Sequence, residues 1–421
     1  MHPAAHDPEV TSAIARAHRE EWAYVLAATA RVTRDLDLAE DCVQDAYAQA
    51  LTHWSTSGVP RRPGAWLTTV ATRRAFELQR RATTLARKLP LLVTDVERTS
   101  DAPGADATFP DDRLRLIFIC CHPSLSTDAQ LALTLRLVCG LTSAEVARAF
   151  LVREATMQAR ITRAKQKIAE ARIPFRLPDA ADLLERVSVV LDAIHLLSSA
   201  GYTAAFGDEL MRGDLAARAL DLATMMHTLL PDVAEVTGLL ALLHLTEARR
   251  LARVSESGQL VIMEEQDRSL WDRTASDIGL QLVAAAIARP PVGRYTLMAA
   301  IAAVHSEAPT WEATDWPQLV GLYDLLLARW PNPVVALNRA VAISFVDGPQ
   351  AALDLLDHLA ADPQLRTYPY LAATRADLYR RLMRHSEAIT AFEEALRLTT
   401  NTAEAAFLRQ RINVLRVTRS T

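Results

Sequence analysis

The stretch Leu141-Thr142-Ser143-Ala144-Glu145-Val146-Ala147-Arg148-Ala149-Phe150-Leu151-Val152-Arg153-Glu154-Ala155-Thr156-Met157-Gln158-Ala159-Arg160-Ile161-Thr162-Arg163-Ala164-Lys165-Gln166-Lys167 decides how this chain reads. Thr142 and Glu145 have the spacing of a capping box, in which each side chain satisfies a free backbone N–H of the other. A short helix is therefore predicted from there to Phe150. Leu151-Val152-Arg153 leaves room only for a tight turn, and a second helix is predicted from about Glu154 to Ala171. Short helix, tight turn and longer basic helix make the helix-turn-helix pattern. Val146, Ala147, Phe150, Met157 and Ile161 supply its small core, which leaves Arg153, Glu154, Thr156, Gln158, Arg160 and Arg163 facing outward. Arg and Gln meet base edges bidentately. From Arg148 to Arg172, seven basic residues stand against Glu154 and Glu170, an excess suited to phosphates. A solvated helix face would carry the same charges.

The rest of the chain is helical in pattern. Val10, Ile14, Ala17, Trp22, Val25 and Leu26 predict one amphipathic helix over residues 9–31. A turn is read at Asp35–Asp37, then a helix from Leu38 to Trp54. The loop Thr56–Gly64 follows, with two Pro and two Gly, and then a helix from Ala65 to Arg81. Periodicity fades over 82–110, where Thr94 to Pro110 reads as a flexible linker. A helix opening at Asp111-Asp112 is closed by Pro123. Another runs from Thr127 to Cys139, with Gly140 as its left-handed cap. Beyond the breaks at Pro174 and Pro178 only helical spacing recurs. Ala340, Ala352, Leu356 and Leu359 return 36 residues later as Ala376, Ala388, Phe392 and Ala395, near the tetratricopeptide pattern.

Composition bounds the class. The chain has 421 residues, 50% hydrophobic and 23% charged, with only 13 Gly, which disfavours an all-β fold. Its net charge of −4 is unevenly placed: residues 1–172 carry 23 basic and 20 acidic side chains, and residues 173–421 carry 23 and 30. No run of 18 apolar residues marks a membrane span, and Met1–Glu9 lacks the apolar core of a secretory signal. Cys42, Cys120, Cys121 and Cys139 suit buried thiols in a reducing cytoplasm better than a disulfide framework.

Residues 31–172 resemble a bacterial RNA polymerase sigma factor of the extracytoplasmic-function class. The first motif is Asp35-Leu36-Asp37-Leu38-Ala39-Glu40-Asp41-Cys42-Val43-Gln44-Asp45-Ala46-Tyr47. It is similar to the family's D-x-x-x-A-E-D-x-V-Q-x-x-F helix, which binds the polymerase β′ clamp helices. The resemblance assigns that contact to Asp41, Gln44 and Asp45. The second motif, Trp66 to Arg81, is similar to W-L-x-x-I-A-R-N-x-x-x-D-x-x-R-R and implies a −10 surface of Arg61, Arg62, Trp66, Thr69, Arg73, Arg74, Arg80 and Arg81. Arg73 stands where the family has Asn, and Glu77 where it has Asp, which leaves the −10 sequence preference open. Trp54 and Trp66 read as core aromatics in preference to base-stacking rings. The helix-turn-helix becomes the −35 module, with Arg153, Glu154, Thr156, Gln158, Arg160, Arg163, Lys165 and Lys167 as its contacts; Arg163, Lys165 and Lys167 are expected on phosphates. The whole chain resembles the subgroup with a long C-terminal tetratricopeptide-like extension, through Cys120-Cys121-His122-Pro123, Ala171–Phe175, Asp267-Arg268-Ser269-Leu270-Trp271 and Ala336–Val341.

The expectation is an all-α protein. Sigma domain 2 takes residues 1–81, a linker 82–110, sigma domain 4 residues 111–173, and a tetratricopeptide-like regulatory domain 174–421. Its partners are core RNA polymerase, through the β′ clamp helices and the β flap, and promoter DNA. The C-terminal domain would dock intramolecularly or hold a protein partner. No cofactor, metal, membrane or enzyme chemistry is expected. Cys120-Cys121-His122 lacks the four-ligand spacing of a zinc site. Glu264-Glu265 reads as part of a solvated or interface helix. The competing readings are a conventional helix-turn-helix regulator with a helical sensor domain and, behind it, a repeat scaffold whose basic segment is incidental.

Overall fold

The computed structural model describes residues 8–88, 112–150, 152–173, 175, 180–202, 213–256 and 258–420. The linker stretch Thr94–Pro110 and the breaks at Pro174 and Pro178 lie outside them. Among the described residues the regular elements are helices, with one isolated bridge between Val254 and Leu260. The chain separates into two compact units, Met1–Ala193 and Ile194–Thr421.

In the first unit, α1 (Pro8–Thr33), α2 (Leu36–Ser57) and α3 (Pro63–Lys88) pack on one another. The Asp35 carboxylate starts α2 by accepting from Asp37 N at 2.8 Å and Leu38 N at 3.0 Å. Ala39, Cys42, Val43, Ala46, Ala50 and Trp54 form its buried stripe, close to the sequence expectation. Gly58, at φ +78°, ends the helix by turning left-handed.

Then come α4 (Asp112–Cys120), α5 (Thr127–Leu133), α6 (Ser143–Ala149) and α7 (Glu154–Glu170). The helix expected over Thr127–Cys139 is not uniform. After Leu133 it widens into a π-helix, Thr134–Val138, in which Cys139 N reaches back to Thr134 O at 3.1 Å. Gly140 closes it at φ +67°. The capping box forms: Glu145 N donates to Thr142 Oγ1 at 3.2 Å, and Thr142 N donates to Glu145 Oε2 at 2.8 Å. Val146, Ala147, Met157 and Ile161 are buried between α6 and α7, and Phe150 is half-buried.

The two groups of helices form one body. The Trp22 indole, 3% exposed, donates to Leu137 O in the π-helix at 3.1 Å. The Arg136 guanidinium lies over the Trp22 ring, 5.6 Å from its centroid. Helix α1 also packs along α4, where Arg31 meets Asp112 at 3.7 Å.

After α8 (Ala180–Tyr202), the second unit is built from α9 (Gly213–Leu229), α10 (Ala234–Ala248), α11 (Arg273–Ile287), α12 (Arg294–Glu307) and α13 (Trp316–Arg329). It continues with α14 (Pro333–Val346), α15 (Pro349–Leu359), α16 (Pro369–Arg381), α17 (His385–Leu398) and α18 (Thr402–Ser420). Helix α10 is buried over most of its length, with α9, α11 and α12 around it. Gly238 lets α12 come close: a Cβ there would sit 2.6 Å from Thr296 N. One turn away, Glu235 caps α12 by accepting from Tyr295 N at 2.9 Å and Thr296 N at 3.1 Å. The 36-residue periodicity has a structural counterpart. Ala340 and Ala376 lie on α14 and α16, and Ala352 and Leu356 on α15 answer to Ala388 and Phe392 on α17, all buried. Small side chains at the seams let consecutive helices pack closely.

One reading in this unit changes. Met263–Glu265 is a single 3-10 turn rather than part of a longer helix, and its Glu265 pairs with Arg411 of α18. Asp267–Trp271 is a clip. Asp267 caps the turn Arg268–Leu270, and Arg268 donates to His305 O at 2.6 Å, tying the loop to the end of α12.

Candidate nucleic-acid interface

Helix α2 presents two different faces. Asp41, Gln44 and Asp45 are exposed, as three-and-four spacing requires. Asp45 is steadied by Arg74 of α3, at 3.0 Å. The opposite edge holds Asp37 and Glu40, the latter 5% exposed and turned toward the second group of helices.

Helix α3 carries an exposed basic face. Arg73, Arg80 and Arg81 are exposed, as are Thr69 and the preceding loop residues Arg61 and Arg62. Arg74 is partly committed to Asp45 and Glu77. Trp54 is a core residue at 1% exposure, and Trp66 packs edge-on against it at 5.6 Å. Trp66 remains half-buried, and His53 stacks on it with ring centroids 5.5 Å apart and planes within 18°. These two rings and Arg73 line an open recess between α2 and α3, together with Gln49 and Thr52. Aromatic and guanidinium groups on one open surface suit stacking with an unpaired base.

Helix α7 keeps Arg153, Glu154, Thr156, Gln158, Arg163 and Lys167 exposed. Gln158 donates to Glu154 Oε1 at 3.1 Å, one turn back on the same face. Two of the expected contacts are engaged elsewhere. Arg160 pairs with Asp128 at 3.2 Å and lies over the half-buried Phe150 ring. Lys165 turns onto α2: its ammonium meets Asp37 at 2.8 Å and Glu40 more closely still, and its side chain is 10% exposed. Burial alone would lower the Lys165 pKa, but the Glu40 carboxylate and the hydrogen bonds to Asp37 and Glu40 outweigh it and hold the pKa above the usual lysine value. Arg136 completes the cluster with Glu40 at 3.0 Å. Glu40, Asp37, Arg136 and Trp22 carry no motif that pairs them with α7; their separation in sequence hides the contact.

Cys120 and Cys121 are buried, and Sγ of Cys121 lies 3.6 Å from Thr134 Oγ1. Burial pushes the Cys121 thiol up to about 12 and raises Cys120 well above the usual thiol value, so both are protonated packing groups at neutral pH. The carbonyls of Cys121 and His122 are capped by the Gln130 amide, at 3.2 and 2.9 Å. Among the described residues no three His, Cys, Asp or Glu side chains converge as a metal site. None of the described helices is long and apolar enough to cross a membrane.

Comparison with known proteins agrees with this arrangement. Sigma-70 region 2 matches residues 20–84, which hold the α2 and α3 surfaces. Sigma-70 region 4 matches residues 115–168, which hold the helix-turn-helix. A family of unknown function, DUF6596, matches residues 186–287. Over 394 residues the chain is 41% identical to an uncharacterized protein of Rhizobium meliloti (strain 1021), covering 93% of each chain. Regions 2 and 4 are the parts of a sigma factor that recognise promoters, and here both occur in one unit, followed by a further helical unit. The chain belongs to the sigma factors, as one of the extracytoplasmic-function-like kind with a C-terminal extension.

Proposed function

We propose that this chain binds core RNA polymerase and directs it to promoters with −35 and −10 elements, under the control of its C-terminal unit. The observation that carries the proposal is the pairing, in one unit, of an exposed acidic and amide face on α2 with exposed basic faces on α3 and α7. Asp41, Gln44 and Asp45 dock on the β′ clamp helices. Arg61, Arg62, Trp66, Thr69, Arg73, Arg74, Arg80 and Arg81 hold the −10 strand, with the Trp66–His53 recess receiving an unpaired base. Arg153, Glu154, Thr156 and Gln158 read the −35 major groove, while Arg163 and Lys167 hold phosphates. Domain 4 meets the β flap. Polymerase supplies the covalent chemistry, so the chain needs no catalytic group. The division into sigma domain 2 (1–81), linker (82–110), sigma domain 4 (111–173) and tetratricopeptide-like domain (174–421) belongs to this reading, as does action in the cytoplasm, where promoters are.

The acidic excess of residues 173–421 beside a basic promoter-binding half supports control by docking on that half or by recruiting a protein partner. Reconstituted transcription tests the reading: the full chain, core RNA polymerase and genomic fragments, with transcript 5′ ends sequenced. Chain-dependent starts sharing two upstream elements are expected. DNA binding that needs no polymerase, with no new starts, would favour a conventional helix-turn-helix regulator.

A further inference from the structure

Polar groups without partners concentrate in one part of the second unit. Between Gln266 and Thr314, six buried side-chain atoms have no hydrogen-bond partner among the described residues: Gln266 Oε1, Arg268 Nη2, Trp271 Nε1, His305 Nδ1, Trp311 Nε1 and Thr314 Oγ1. Burying a polar group unmet costs free energy, so such a concentration calls for a partner. Five of the six can donate, and only Gln266 Oε1 is restricted to accepting. The partner they call for is an acceptor.

Its charge follows from the same residues. The guanidinium groups of Arg268 and Arg249 lie over the Trp271 ring, 4.7 and 5.8 Å from its centroid. Among the described residues neither forms an ion pair. Arg268 donates to the carbonyls of His305 and Ala308, and Arg249 to the Met263 sulfur at 3.3 Å, a weak acceptor for a full charge. Burial and these two guanidinium groups push His305 down to about 4, so it adds no charge at neutral pH. Adjacent cations with surplus donors suit an anion.

A cavity of about 140 Å³ adjoins these groups. Met263 and Trp311 belong to both. Met263 holds Arg249 and lines the cavity, and Trp311 lines it with its indole N–H unmet. Ile262, Val341, Phe345 and Leu378 make the remaining wall largely apolar. Arg381 also lines the cavity, but it is committed to Ser344 at 2.6 and 2.8 Å, and Asp377 and Glu264 are its electrostatic neighbours. An incoming anion is therefore favoured at the Met263–Trp311 wall. An apolar cavity of ~150 Å³ takes up benzene, so the space suits one ring or a branched aliphatic group.

We infer that this cavity binds a small organic monocarboxylate. The apolar body packs against Val341, Phe345 and Leu378, and the carboxylate replaces the Met263 thioether on Arg249 and accepts from the Trp311 indole. Met263 is unbranched and flexible, which lets its sulfur withdraw. The cavity and both guanidinium groups lie within the second unit, so the inference stands apart from the promoter reading.

The test is titration calorimetry and thermal melting of the purified full-length chain with benzoate, phenylacetate and isovalerate. At least one should bind and raise the melting temperature. Benzamide and benzylamine, matched to benzoate in shape, should bind roughly tenfold more weakly or less. Arg249→Met should weaken carboxylate binding roughly tenfold or more, and Trp311→Phe roughly a few-fold. Val341→Phe fills the cavity and should abolish binding while leaving both guanidinium groups in place. Melting without ligand shows which variants fold; if Val341→Phe does not, the other two decide. No binding by any of the three carboxylates overturns the site, as does equal binding of benzoate and benzamide. Tighter binding of benzylamine overturns the charge assignment. Inorganic phosphate bound in preference to all three carboxylates overturns the organic body. Carboxylate binding untouched by the variants places it elsewhere and overturns the site.

Discussion

Helices α3 and α7 have similar basic faces and opposite situations. Helix α3 presents Arg73, Arg80 and Arg81 outward, and its Arg74 is tied to a neighbouring helix on the same surface. Helix α7 has two of its cations folded inward, Arg160 onto Asp128 and Lys165 onto α2. A count of positive charge would rank the two alike. The difference teaches that the positive charge a helix offers is set by which carboxylates lie within reach across the fold.

The largest expected effect comes from the tryptophan that ties α1 to the π-helix. Trp22→Ala deletes a buried indole and its hydrogen bond to Leu137 O, and should cost about 3–5 kcal/mol in denaturant unfolding of the full chain. A change below about 1 kcal/mol would show that α1 does not hold the two modules together. Next in size are the bases. Arg153→Ala or Gln158→Ala should weaken transcription from a −35-dependent promoter by about 1–3 kcal/mol and relax the sequence preference there. Run-off transcription on promoter variants measures both. Equal loss on every sequence would move these residues to the phosphate class.

Phosphate contacts come third. Lys167→Ala, on the exposed face, should weaken binding evenly across sequences and reduce the salt slope of promoter binding by about 1. Arg74→Ala is smaller. Its pair with Asp45 is partly exposed, so melting should shift by less than about 1 kcal/mol, and polymerase binding is the sensitive readout.

The smallest expected effect is that of pH on the Lys165 contact between α7 and α2. The folded pKa of Lys165 lies above its ordinary 10.5. Its contribution is therefore fully present below that value and is lost as pH rises through the raised one. Denaturant unfolding from about pH 6 to about pH 9 should show no loss of stability from Lys165, which is lost only in stronger alkali. A loss near neutral pH would assign it to some other group.

Local chemistry was legible in the sequence. Thr142 and Glu145 announced the start of α6, Gly140 announced a left-handed cap, and Asp41, Gln44 and Asp45 fell on one exposed face. Those inferences need only neighbours within a turn. Trp22 and Leu137 lie 115 residues apart, and Lys165 and Glu40 lie 125 apart, so no periodicity could pair them. The same limit explains Asp267–Trp271. Its residues stand out in sequence, but their purpose, a clip onto the end of α12, depends on a carbonyl 37 residues away. The π-helix was hidden for another reason. Thr134–Val138 has ordinary helical composition, and what sets it apart is the indole that takes up the Leu137 carbonyl.

That widened turn has a consequence for how related chains vary in length. A π-turn amounts to an α-helix with one extra residue, and each residue of an α-helix turns the chain by ~100°. Because the widened turn takes up that extra residue, deleting a single residue between Thr134 and Val138 would restore regular winding and leave α6 and α7 near their present phase, with the loss falling on the carbonyl that meets Trp22. A one-residue deletion here should therefore be far better tolerated than one in the regular helix α7, where nothing takes up the ~100° shift, and a chain that has lost the residue should have lost the tryptophan contact as well.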